Sequence, residues 1–174
     1  FGTLYSGRAL DFDGVTDYFN IASQPSFTGV FTLSAWIYPD TLANALVIGT
    51  DGEADYIRLV DTDTVGLRIA SNGITVDSGL VFSTGAWQYL TIVRASDGET
   101  ITIYKDGVAG GTTGTRSGTF APDNVGKKGT SNPNYWDGKM SNFQLWDKAW
   151  SLSDVQYAYT HPEKLITDNS AVTS

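Results

Sequence analysis

Phe31-Thr32-Leu33-Ser34-Ala35-Trp36-Ile37-Tyr38 decides the fold. Successive side chains of an extended chain point to opposite sides, so Phe31, Leu33, Ala35 and Ile37 share one face. Thr32, Ser34, Trp36 and Tyr38 share the other, where Trp36 is expected to be buried beneath a covering layer. Pro39-Asp40 is expected to stop the strand, because proline has no N–H to give to a ladder. The same alternation predicts strands over 9–12, 18–21, 46–49, 56–60, 65–70, 74–76, 87–94, 101–105 and 139–147. Asp106-Gly107 reads as a type I′ turn carrying 101–105 back through Val108. Many strands against one helix predict an all-β, antiparallel β-sandwich of the jelly-roll kind with one short C-terminal helix.

Composition agrees. Of the 19 acidic residues, 16 are Asp and three are Glu, and five of the Asp residues precede a glycine. Asp favours turns over helix interiors because its short side chain bonds nearby backbone N–H groups. The single helix is expected to start at Ser153, with Ser153 as N-cap, Gln156 closing a capping box and Asp154 favourable to the helix dipole. It should end at His161-Pro162. At 174 residues the chain suits one domain, expected over 1–166, with the small polar stretch 167–174 as a linker toward further domains of a parent protein. The opening Phe1 fits a fragment or processed product.

The same arithmetic excludes several classes. With no Cys, disulfides, thiolate nucleophiles and Cys-based zinc sites are out. A net charge of −8 disfavours nucleic acid. No run of about 18 apolar residues is present for a membrane span. The one histidine, His161, sits between a helix end and a proline, a poor mount for an oriented base.

Five segments in order carry a family resemblance: Ala9-Leu10-Asp11-Phe12-Asp13-Gly14 with Asp17-Tyr18; the Phe31 strand; Trp87-Gln88-Tyr89-Leu90-Thr91-Ile92; Ile103-Tyr104-Lys105-Asp106-Gly107; and Trp136-Asp137-Gly138-Lys139-Met140-Ser141-Asn142-Phe143-Gln144-Leu145-Trp146 leading into the helix. Together they resemble the laminin-G-like, concanavalin A-like lectin jelly roll in its pentraxin-related subgroup. The ending Tyr157-Ala158-Tyr159-Thr160-His161-Pro162 resembles repeats of bacteriophage structural proteins.

The resemblance implies candidate sites. Calcium takes about six to eight oxygens, several from carboxylates, and the pentraxin loop comparable to Asp51-Gly52-Glu53-Ala54-Asp55 supplies acidic calcium ligands. Asp51, Glu53 and Asp55 are therefore expected to be metal ligands. The family's second acidic loop is replaced by Gly126-Lys127-Lys128-Gly129-Thr130, lysines where carboxylates would stand. Asp13 and Asp17 form a second candidate calcium turn. Asn132, Asn134, Tyr135 and Trp136 combine amides with flat aromatic faces and are expected to contact sugar.

Enzymes share this fold, so catalysis needs its own test. Glycoside cleavage calls for two carboxyls about 5–10 Å apart. The fold's glycosidases carry a Glu-x-Asp-x-x-Glu strand, and none of Glu53, Glu99 or Glu163 has another Glu nearby. The fold's lyases use Gln-x-His, which His161 lacks. The expectation is a non-enzymatic recognition module that binds glycans or a glycosylated surface, with calcium assistance, on an extracellular, cell-surface or virion-associated protein. The alternative expectation is a decoration or oligomerisation domain of a phage virion or tail fibre. Neither reading involves membrane insertion.

Overall fold

The computed structural model of the protein describes residues 9–131, 133–162 and 164. The expected linker 167–174 and the candidate Asn132 lie outside them. Two antiparallel sheets pack face to face. The strands are β1 (Leu10–Asp13), β2 (Phe19–Asn20), β3 (Phe31–Pro39), β4 (Ala45–Gly49), β5 (Tyr56–Leu59), β6 (Thr64–Ile69), β7 (Asn72–Asp77) and β8 (Gln88–Arg94). They continue with β9 (Thr100–Lys105), β10 (Val108–Ala109), β11 (Gly114–Thr115), β12 (Asn124–Val125), β13 (Lys127–Lys128), β14 (Asn134–Tyr135) and β15 (Asp137–Trp146), before helix α1 (Leu152–Thr160). One sheet runs β1-β15-β3-β8-β9-β10 with β11 also on β9, the other runs β2-β12-β4-β5-β6-β7, and β13-β14 form a separate ribbon.

The alternation read from Phe31 onward sets the packing. Phe31, Leu33, Ala35 and Ile37 are fully buried between the sheets, and Leu33 and Ala35 pair with Ile92 and Leu90 of β8. Ile57, Leu59, Val65, Leu67 and Ile69 close the interior from the second sheet. Each such side chain contributes about 1.5–3 kcal/mol of burial relative to exposure. On the outer face of β3, Trp36 stands opposite Tyr89, and Ser34 opposite Thr91. Helix α1 covers this face, with Trp150, Val155 and Ala158 forming a second apolar cluster with Tyr89 and Val93. Trp36 packs between Tyr89 and Tyr159, at 5.3 and 5.7 Å between ring centroids, so β3 is buried on both sides.

Most strand boundaries shift by a residue or two from the expectations, and three differences have a visible cause. The helix caps on Ser151, not Ser153: Asp154 N–H donates to Ser151 Oγ at 3.2 Å and Ser151 N–H donates to Asp154 Oδ2 at 2.8 Å. A short Asp side chain reaches back to close this box, so the helix begins earlier and does not need Gln156. Strand β3 runs through Pro39, which pairs with Gly138 of β15 and so closes the strand from within. Strand β15 is longer and interrupted, shifting register between Ser141 and Gln144, with Asn142 in the left-handed region at φ 49°. Such a bulge re-aims the strand locally. At the β9–β10 hairpin, Asp106 and Gly107 have φ of 51° and 79°, as a type I′ turn requires.

Candidate functional site

The ribbon β13–β14 lies across the outer side of β4. The approach is close because position 49 is glycine: a Cβ there would stand 2.7 Å from Lys128 Cβ and 2.9 Å from the Lys127 carbonyl oxygen. In the ribbon Lys127 pairs with Tyr135, and Lys128 with Asn134. Beside it, the turn linking β4 to β5 is drawn tight. Glu53 adopts φ 58° and its N–H donates to the Thr50 carbonyl at 3.0 Å, while Asp55 N–H donates to Thr50 Oγ1 at 3.2 Å.

These two segments, distant in sequence, meet through charge. Lys127 Nζ donates to Asp51 Oδ1 at 2.8 Å, and Lys128 Nζ to Glu53 Oε2 at 3.1 Å. Both lysine side chains are only 9% exposed, whereas Asp51 and Glu53 are 45% and 37% exposed. Each ammonium also sits on an aromatic ring: Lys127 lies 4.3 Å from the Tyr18 centroid and Lys128 5.3 Å from that of Tyr56. The hydrogen bond to Asp51 raises the Lys127 pKa above its ordinary value. Asn124 Nδ2 also donates to Asp51 Oδ1 at 3.1 Å, and accepts at its own Oδ1 from Asn20 at 3.2 Å. Burial pushes the neighbouring Asp123 carboxyl up. The outcome is a rim where three tyrosines (Tyr18, Tyr56, Tyr135), two lysines, two acids and Asn134 converge.

Of the expected sugar contacts, Asn134 and Tyr135 belong to this rim and are half-buried in β14. Trp136 does not: it is fully buried in the inter-sheet core, so its ring presents nothing to a ligand. The alternation explains the correction, since Trp136 bridges β14 and β15 and points inward where Tyr135 points out. Tyr18, Tyr56, Lys127 and Lys128 were not expected there. The signal available in the sequence was the pair of lysines standing where acids were wanted.

The expected calcium ligands are otherwise engaged. Asp51 and Glu53 hold ammonium groups. Asp55 is 5% exposed and turns inward, accepting from Ala70 N–H at 2.8 Å and Ala121 N–H at 3.3 Å. Asp13 Oδ1 accepts from the N–H groups of Val15, Thr16 and Asp17 within its own loop, which hold its carboxyl well below the usual carboxylate range. Asp17 Oδ2 accepts from Asp13 N–H at 3.2 Å. Among the described residues no group of three or more His, Cys, Asp or Glu is placed to hold a metal ion. As arranged, these side chains do not fit a calcium ion.

The protein belongs to the concanavalin A-like lectin/glucanases superfamily, whose sequence pattern matches residues 13–156. No curated protein matches the chain in sequence. Among solved structures it is similar to a heptameric pentraxin from Limulus polyphemus, at TM-score 0.68 and 14% identity, over 87% of this chain and 81% of that one. Domain 4 of an extracellular arabinanase from Geobacillus stearothermophilus, in complex with arabinotriose, matches at TM-score 0.59 and 18% identity over 77% of this chain and 68% of that one. A Trypanosoma rangeli sialidase matches at TM-score 0.61 and 15% identity, over 89% of this chain and 28% of the sialidase.

One expectation is overturned here. The expectation of a non-enzymatic chain does not stand, because its superfamily is described as including glucanases and the matched structures include an arabinanase domain and sialidases. The missing Glu-x-Asp-x-x-Glu and Gln-x-His strands exclude only two particular ways of building a site on this fold.

Proposed function

We propose that this chain recognises carbohydrate through the rim formed by β13–β14 and the β4–β5 turn. The carrying observation is the convergence of Tyr18, Tyr56 and Tyr135 on the Lys127–Asp51 and Lys128–Glu53 pairs. Sugars offer apolar C–H faces edged with hydroxyls, and half-buried tyrosines beside fixed donors and acceptors match both. The complex of the similar arabinanase domain with arabinotriose supports the same reading. We infer further that the chain serves as a recognition module of an extracellular, cell-surface or virion-associated protein.

A glycan array probed with a multimerised form tests this, because avidity raises weak single sites into range. The expected result is a defined set of bound glycans, lost at least about tenfold in the Asn134→Ala, Tyr135→Ala double variant, which removes two half-buried contacts and no core residue. Binding that survives the double variant places the site elsewhere. A discrete oligomer with no glycan signal favours the alternative, a virion decoration or oligomerisation domain. That alternative draws on the exposed apolar side chains Leu10, Val15 and Phe19 on and between the edge strands β1 and β2.

A further inference from the structure

The rim opens onto the outer face of β5, β6 and β7, and this face carries an arginine, Arg58, with no ion pair among the described residues. Ile57, Leu59, Val65 and Leu67 face the core, so Tyr56, Arg58, Gly66 and Arg68 face outward. Cross-strand pairing aligns Leu46, Arg58, Gly66 and Thr75 in one row and Gly49, Tyr56, Arg68 and Gly73 in the next. Arg58 is held in place by what surrounds it. Its guanidinium carbon lies 5.2 Å from the Tyr56 centroid. Its arm crosses the space that Gly66 leaves empty, where a Cβ would come within 3.2 Å of Arg58 Nε and 3.4 Å of its Cγ.

What Arg58 lacks is a counter-ion. Among the described residues it makes no ion pair, and its buried Nε has no hydrogen-bond partner. Across the strand pair, Arg68 spends Nε on the Ser71 carbonyl at 3.1 Å and has no carboxylate either. In a chain with eight more acids than bases, carboxylates are abundant, and the two lysines next door each have one. A guanidinium fixed over a ring, with its N–H fork unspent, suits a planar anion from outside.

We propose that Arg58, supported by Arg68 and seated by Tyr56 and Gly66, is a carboxylate subsite, so that the preferred ligand is an acidic saccharide bearing a uronate or sialate-type carboxyl. This rests on the carbohydrate reading of the adjoining rim. The sugar ring lies against the tyrosines of the rim, and its carboxylate reaches the guanidinium on the sheet face.

Matched glycan pairs test it on the whole chain: oligogalacturonate against its methyl ester, sialyllactose against lactose, and a sulfated oligosaccharide against its desulfated form. The expected result is that the carboxylate member of at least one pair binds about tenfold or more tightly than its neutral partner. That ratio should collapse toward one in Arg58→Gln, with the melting temperature of the variant measured alongside to show that it folds. Arg58→Lys, which keeps charge but not the fork, should recover only part of it. Independently of that variant's folding, the Arg58 Nε–H resonance of the wild-type protein should shift with methyl glucuronide and not with methyl glucoside. Equal binding of charged and neutral members overturns the carboxylate subsite and leaves the carbohydrate reading intact. A preference confined to sulfated members overturns the carboxylate assignment. Binding to no member of any pair overturns both readings.

Discussion

Replacing Trp136 separates a core residue from a ligand contact more sharply than any other change. The ring is fully buried in the inter-sheet cluster, and the Trp136 N–H donates to the Gly126 carbonyl at 2.8 Å, which fixes the chain between β14 and β15. Truncation to alanine removes the ring's burial and leaves a cavity that the two sheets cannot close. Large-to-small changes of this kind cost about 3–5 kcal/mol. For a domain of this size each kcal/mol moves the melting temperature by about 2–4 °C, so Trp136→Ala should lower it by roughly 6–20 °C. Trp136→Phe keeps most of the volume. It also deletes Nε1–H, a buried donor with no partner among the described residues. The loss of packing is thus partly offset, and the net cost should be about 1 kcal/mol.

Urea unfolding followed by far-UV circular dichroism, with glycan binding measured on the same samples well below the transition, distinguishes the cases. The core placement requires a large stability loss in Trp136→Ala and near wild-type affinity in Trp136→Phe. If Trp136→Ala kept its melting temperature while Trp136→Phe lost ligand, the ring would be at the surface and its inward placement between β14 and β15 would be wrong.

Two further outcomes follow from the charges. Calcium at about 5 mM should leave the wild-type melting temperature within about 1 °C, because an ion would have to displace Lys127 from Asp51 and Lys128 from Glu53. Lys127→Met with Lys128→Met, which frees both carboxylates and keeps apolar stems, should gain a calcium-dependent rise; a rise in the wild type instead would show that the ammonium groups yield. Burial pushes the Tyr89 hydroxyl up from 10.0 to about 12, so above pH 10 the unfolded chain releases this proton first and stability falls through to about pH 12, by about 1.4 kcal/mol per pH unit. Tyr89→Phe should remove that part of the alkaline loss, read as a shallower fall in urea-unfolding free energy between about pH 10 and 12; identical slopes would mean the hydroxyl is not buried under α1.

The fold was legible because its information is local. Eight consecutive residues from Phe31 told which side of β3 is core, and Phe31, Leu33, Ala35 and Ile37 are all fully buried there. The outer aromatic Trp36 implied a covering layer, which α1 supplies. The helix start was ambiguous for an equally local reason: Ser151-Leu152-Ser153-Asp154 and Ser153-Asp154-Val155-Gln156 both read as capping boxes. The side chain of Asp154 takes part in the earlier one. Strands β11 to β14 escaped because two-residue strands show no period. The rim escaped for a different reason. Asp51 and Lys127 are 76 residues apart, and what joins them is the crossing of β13 over Gly49, a close approach that no window of sequence displays.

That crossing also bears on why two lysines sit there at all. Ion pairs whose acid is near half exposure stabilise a fold by about 0–1 kcal/mol, and burying the lysine stems to 9% exposure costs side-chain freedom in return. Stability alone is therefore a weak reason for the arrangement. Geometry is a stronger one. Each ammonium is held at once by a carboxylate and a tyrosine face, which pins the ribbon over β4 and fixes Asn134 and Tyr135 relative to Tyr18 and Tyr56. A rim assembled from three separate segments would otherwise have to order itself when a ligand arrives, and that ordering would be subtracted from affinity. The same logic accounts for the contrast with Arg58, which is positioned by Tyr56 and Gly66 but left without an acid. The lysines that organise the rim are neutralised from within, whereas Arg58, with no ion pair among the described residues, turns its guanidinium toward a carboxylate from outside.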